Sequence, residues 1–289
     1  MPLVGAELVE HREILPGQWL ASFHAPALAI GARSGQYVHV RPGDWSGPVL
    51  RRPLPISTAD PATGVLSLHV VAGTPGADWL AHLRPGDAID MLGPLGRPFE
   101  VDPRSRHLLL LAEGPAIAGI RFLADEAIRD GRSVVLLFGG AGSREVHPSN
   151  LLPDEVEYVV ATTDGSMGLR GSVVDLVPQY EAWADQAFAS GPAPMLAALA
   201  RLAAGRRQRL GVATLGRKRG GGRPVPAGSP EARRKAFLQV ALPQEIGCAL
   251  GTCLGCVVPG TGAGRATGLR VCREGPAFAA EEIDWEAAG

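Results

Sequence analysis

The sequence predicts a multidomain β plus α/β chain: an N-terminal antiparallel β-barrel, a central parallel α/β domain of nucleotide-binding type, and a small C-terminal domain built round four cysteines. Three observations carry this. Short alternating segments separated by turn signals fill residues 1–102, a strand–helix–strand texture begins after Asp102-Pro103, and every cysteine lies between Cys248 and Cys272. At 289 residues the chain also exceeds one ordinary domain, since domains run to roughly 100–200 residues.

In the first segment Gln36-Tyr37-Val38-His39-Val40, Val65 to Val71 and Ala88 to Leu92 read as strands, with Arg41-Pro42-Gly43-Asp44 and Arg84-Pro85-Gly86-Asp87 as turns between them. Many short strands of this kind make a small antiparallel barrel. In the second, 103–204, His107 to Leu111 is a strand, about Ala116 to Arg129 a helix, and Ser133 to Phe138, Val156 to Thr162 and Gln186 to Ala189 further strands. Strands alternating with helical sequence form a parallel sheet. Residues 205–236 are basic throughout, with Glu231 as their only acid and a Gly220-Gly221-Gly222 run. Such a segment cannot bury enough apolar surface to fold alone, so a disordered insertion is expected. The remainder, 237–289, is compact and carries the cysteines.

The balance of residues excludes several classes of function. A net charge of −1 argues against a nucleic-acid partner, because neutralising phosphates needs a basic surface. No apolar run is long enough to span a bilayer, and the N-terminus lacks a basic region followed by an apolar one, so neither membrane nor export is expected and the chain reads as cytoplasmic. Aromatic residues are scarce at 5% while there are 38 Gly and 25 Pro, which favours short elements and many turns. No Ser-His-Asp or paired-carboxylate arrangement is legible, and no catalytic residue is named. His107 and His147 are expected at the surface or at strand ends.

The cysteines follow a C-x4-C-x2-C spacing, Cys248, Cys253 and Cys256, with Cys272 as a distant fourth. Clustered cysteines in a long cytoplasmic chain point to metal rather than to disulfides. Plant-type [2Fe–2S] ligands have this spacing. Gly247, Gly251 and Gly255 let a loop approach a cluster closely. A four-cysteine zinc site and a pair of disulfides are the alternatives; zinc sites usually show two C-x2-C knuckles, and here there is one.

Arg52-Pro53-Leu54-Pro55 follows Gly35-Gln36-Tyr37-Val38 by one short connection. An arginine at a strand end can meet a dinucleotide pyrophosphate bidentately, but on these residues alone an edge strand closed by prolines is the plainer reading. With these stretches, Leu92-Gly93-Pro94-Leu95-Gly96, Thr163 to Gly171, Gly191 to Leu196, Cys248 to Val258 and Arg270 to Phe278 taken together, the chain resembles the electron-transfer subunit of the two-subunit, NAD-linked dihydroorotate dehydrogenase, a ferredoxin reductase-like iron–sulfur flavoprotein.

That resemblance implies an oxidoreductase subunit of pyrimidine (UMP) biosynthesis. Its partner would be an FMN-containing catalytic subunit that oxidises dihydroorotate, in a heterotetramer, and its cofactors a [2Fe–2S] cluster and FAD, with NAD as acceptor. It makes 1–102 an FAD-binding-type barrel, 103–204 an NAD-binding-type domain and 237–289 the [2Fe–2S] domain. It places FAD contacts at Arg52, Pro53, Leu54, Pro55, Leu68, His69, Val70, Gly76 and Ala77, and cluster ligands at Cys248, Cys253, Cys256 and Cys272. The chain departs from the family at four points. Pro55 and Ala77 replace hydroxyl-bearing residues, Glu113 stands in what is otherwise a glycine-rich turn, and Ser190 replaces a cysteine. Glu113 either meets a bound pyrophosphate or stabilises a helix N-terminus. Two other functions stay open: a ferredoxin–NAD(P) reductase-like subunit of another complex, and an assembly or regulatory subunit that keeps the cluster but has lost nicotinamide binding.

Overall fold

The computed structural model describes residues 2–43, 50–209, 236–262 and 268–288. Most of the basic insertion expected at 205–236 lies outside them, although a helix continues to Arg209.

Six strands close the barrel: β1 (Leu3–Leu15), β2 (Gln18–His24), β3 (Tyr37–Arg41), β4 (Arg52–Asp60), β5 (Val65–Val71) and β6 (Ala88–Leu95), in the order β1-β2-β5-β4-β3-β6. Alternation fills it: Phe23, Val38, Val40, Ile56, Leu66, Leu68 and Met91 point inward and are almost wholly shielded from solvent. Two short helices, α1 (Pro26–Ala29) and α2 (Pro75–Ala81), lie in its connections.

The second half is a seven-stranded sheet. Its strands are β7 (His107–Glu113), β8 (Ser133–Gly140), β9 (Glu157–Thr162), β10 (Leu169–Arg170), β11 (Gln186–Ser190), β12 (Leu238–Ala241) and β15 (Ala277–Ala279), ordered β10-β9-β8-β7-β11-β12-β15. All pairings are parallel except β12 with β15. Helices α3 (Ala118–Arg129), α4 (Val173–Tyr180) and α5 (Ala193–Arg209) connect it. The segment grouped by sequence with the cysteines thus begins with a sheet strand, β12, and returns to the sheet as β15. Between these, the ladder β13 (Val257–Val258) with β14 (Leu269–Arg270) and the one-turn helix α6 (Val271–Glu274) complete the cysteine-bearing unit.

Helix α3 joins the halves because it is apolar on two sides. Ile120, Leu123, Ala124 and Ala127 pack on the sheet, while Phe122 is buried in the barrel's core cluster. Among the described residues no helix is long and apolar enough to cross a membrane.

Candidate functional site

The cysteine loop is shaped by its backbone. Ala249 (φ 56°), Gly251 (φ 78°) and Leu254 (φ 59°) all adopt left-handed conformations, which turn successive amide N–H groups toward one side of a loop. The Leu250 N–H lies 3.4 Å from the Cys248 sulfur. Hydrogen bonds from the backbones of Cys253 and Leu250 lower the Cys248 thiol to about 5, so it is set up as a thiolate donor. Gly251 cannot be replaced cheaply, because a Cβ there would stand 2.6 Å from Arg273 Cγ.

The fourth cysteine is brought in by topology. Cys256 immediately precedes β13 and Cys272 follows β14, so the Val257–Arg270 pairing draws the Cys272 N–H to 3.5 Å from the Cys256 sulfur. Burial pushes the Cys272 thiol up to about 12, with the neighbouring Cys256 adding to it. All four cysteines are free thiols, so the disulfide alternative is absent. They are not drawn to one point: among the described residues no three His, Cys, Asp or Glu side chains are placed to hold a single ion. The loop's amide donors, its free thiols and its glycines suit an iron–sulfur core, which thiolates hold and N–H groups stabilise.

Two side chains that the sequence left without a role tie this loop to the barrel. The Tyr37 hydroxyl is 3.5 Å from the Cys272 carbonyl, and His39 Nε2 is 3.0 Å from the Ile246 carbonyl. The available signal was period two on β3. Val38 and Val40 enter the barrel core, so Tyr37 and His39 leave by the opposite face. Burial also raises the Tyr37 hydroxyl far above its ordinary range and lowers the His39 imidazole.

The flavin candidates converge through the backbone more than through side chains. Strands β4 and β5 pair from Asp60↔Val65 to Ile56↔Leu68 and then part. Beyond that point Arg52 to Pro55 pair only with β3, and His69 to Val71 only with β2. This leaves a wedge between two strands of a closed barrel. The Ile56 N–H bonds Gln36 O on the β3 side, so alternation turns positions 53 and 55 toward the wedge. Proline, which has no N–H to leave unpaired, fits both. The expected edge strand is therefore an interior strand with one free half.

Gly76 faces Arg52 across the wedge, since a Cβ there would lie 3.0 Å from Arg52 Nε. The Arg52 guanidinium has no hydrogen bond or ion pair to a described residue, so it is available to an anion. Ala77 lies beside Gly76 in the first turn of α2, where Thr74 Oγ1 accepts its N–H at 3.4 Å. Pro55 is exposed and Leu54 half-buried against the barrel core. Leu68 and Val70 point into the barrel core, and only their backbones reach the wedge. The His69 side chain is taken up by Gln18 Oε1 at 2.9 Å and by the His147 ring, 6.2 Å away between centroids.

His147 corrects an expectation. It is 4% exposed rather than at the surface, because the loop after β8 folds it against the barrel. His107, at the start of β7, is half-exposed beside Asp185 as expected. Asp164 accepts from the Ser166 N–H at 2.8 Å, and Gly165 is left-handed, so this pair makes a turn.

The residues that the sequence assigned to the nicotinamide side, Glu113 and Ser190, lie at the carboxyl ends of β7 and β11. Ser190 ends β11 and is buried. Glu113 ends β7 and makes no side-chain cap bond to the helical turn that follows. A hydrogen-bonded cap is therefore not formed, which leaves the helix dipole as the means by which Glu113 would stabilise that turn.

A barrel leading into a parallel nucleotide-type sheet, with a cysteine loop packed on both, is the architecture of ferredoxin reductase-like iron–sulfur proteins. The NADH-dependent reduced ferredoxin-NADP oxidoreductase superposes over 99% of this chain and 91% of its own with a TM-score of 0.76 at 24% identity. A ferredoxin NADP+ reductase from Neisseria gonorrhoeae covers 76% of this chain and 95% of its own with a TM-score of 0.58 at 16% identity. Residues 244–284 match the family of the iron-sulfur cluster binding domain of dihydroorotate dehydrogenase B. The electron transfer subunit of dihydroorotate dehydrogenase B (NAD(+)) from Desulforamulus reducens is 30% identical over 94% of this chain and 95% of its own. Its counterpart from Geobacillus thermodenitrificans is 30% identical over 98% and 97%. The chain belongs to the family of dihydroorotate dehydrogenase B electron transfer subunits.

Proposed function

We propose that this chain is the electron-transfer subunit of an NAD-linked, dihydroorotate-oxidising complex of pyrimidine biosynthesis in the cytoplasm. It would receive electrons from an FMN-containing catalytic subunit, in a heterotetramer, and deliver them to NAD. Cys248, Cys253, Cys256 and Cys272 would hold a [2Fe–2S] cluster. Arg52 and the wedge backbone from Pro53 to Pro55 and Leu68 to Val70, with Gly76 and Ala77, would hold FAD. When bound, the cluster supplies single electrons and the flavin exchanges one or two, which is what joins a one-electron carrier to a hydride acceptor.

One observation carries this reading: a single strand separates the two candidate sites. On β3, Tyr37 and His39 meet the cysteine segment, and the same residues pair with Pro55 and Pro53. The strand would thereby hold the two cofactor sites at one fixed spacing, as electron transfer between them requires. Quantifying iron, sulfide and flavin in protein purified without oxygen is the test. The expected result is iron and FAD in a ratio of about two to one. Zinc without iron, or the absence of flavin, overturns it.

A further inference from the structure

In an open parallel sheet, ligands bind outside the carboxyl ends of the strands, at the point where the strand order reverses. Here that point lies between β7 and β11. From β7 the chain runs outward to β8, β9 and β10 on one side, then crosses to β11 and β12 on the other. The two residues that end these strands are Glu113 and Ser190, with Ala112 and Ser190 paired across the gap.

Glu113 therefore places a carboxylate in the crevice itself, and the structure makes room for it there. A Cβ on Gly139, its neighbour on β8, would lie 3.4 Å from Glu113 Cγ, and one on Gly191 would lie 3.5 Å from Glu113 Cβ. The group has no hydrogen bond or ion pair to a described residue. Burial raises its pKa above the ordinary carboxylate value. A carboxylate that makes no side-chain cap bond and pairs with no described base faces whatever occupies the crevice.

We propose that Glu113 is a specificity-determining residue of the acceptor crevice, whose charge weakens the binding of any ligand that brings phosphate to the end of β7. The ligand class it acts against is the pyrophosphate of a dinucleotide. A ligand without phosphate is not penalised. Dinucleotide affinity in this chain is consequently set low by one removable charge. This deepens the reading of the crevice as the NAD side and rests on it.

The test is calorimetric titration of the full chain, purified without oxygen, with NADH and separately with adenosine. It compares wild type, Glu113→Gln and Glu113→Ala. The glutamine keeps the shape and removes the charge. Both variants are expected to bind NADH about tenfold more tightly at low ionic strength, with the gain shrinking as salt is added, and to leave adenosine binding within about twofold. The proposal is overturned if the variants bind NADH no more tightly than wild type, if adenosine gains equally, or if no protein binds NADH at all. Two substitutions guard against one failing to fold. Iron, sulfide and flavin contents of the same preparations report on the relay separately. Their absence sinks the electron-transfer reading and leaves the affinity comparison standing.

Discussion

At the scale of single residues, the cysteine loop depends on positions that carry no sulfur. Gly251 combines a left-handed backbone with a space already filled by the Arg273 stem. Gly251→Ala should lower the iron retained per chain, at a cost of about 1–3 kcal/mol for forcing a side chain into that conformation; unchanged iron content would show the loop to be more forgiving. Arg52 makes the complementary case. Its guanidinium pairs with no described residue, and a bidentate contact to a pyrophosphate would be lost wholly on its removal. Arg52→Gln is expected to release FAD on gel filtration where the wild type keeps it, with iron content unaffected.

At the scale of elements, strand β4 shows how one stretch serves two purposes. Its C-terminal half, from Ile56 onward, pairs with β5 and closes the barrel. Its N-terminal half pairs on one side only, and the prolines lie where an amide would have gone unsatisfied. Helix α3 is likewise double-sided. Phe122 fills the barrel core while Ile120 and Leu123 fill the sheet's. Truncating a buried phenylalanine costs about 3–5 kcal/mol. Phe122→Ala should therefore destabilise the chain by that amount in chemical denaturation, and should loosen the barrel against the sheet more than either alone.

For the whole molecule, the seam between barrel and sheet stores a pH response. Burial, with Arg121 adding, lowers the His69 imidazole to about 4, and burial with His69 and Arg121 lowers His147 to about 3. Among the described residues neither ring nitrogen of His147 has a hydrogen-bond partner. Both histidines are held neutral when folded and take protons at about 6.5 when unfolded. Their contribution to stability is full above about pH 6.5 and falls as the pH drops toward those folded values. Asp125 and Glu126 on α3, whose carboxyls burial raises, act in the opposite sense at lower pH. The difference between wild type and His147→Leu isolates the effect. In thermal melts from pH 7 to 5 the variant should lose less stability than wild type, and parallel curves would remove His147 from the account.

Much of this was legible in the sequence because it rests on local physics. Period two in Val65 to Val71, the switch to longer periods after Asp102, and the C-x4-C-x2-C spacing are all written in neighbouring residues. They define two domain types and a thiolate loop before any folding is considered. The position of Cys272, the parting of β4 from β5, the burial of His147 and the exit of Tyr37 and His39 toward the cysteines depend on residues far apart in the chain. Bringing Tyr37 to the Cys272 carbonyl, or His69 against His147, is a matter of which segments meet, and no short window of sequence contains both partners. Glu113 shows the boundary. Its departure from a glycine-rich turn could be read from the chain alone, but only the crossing from β10 to β11 put that carboxylate at the reversal of the sheet, where a ligand would have to face it.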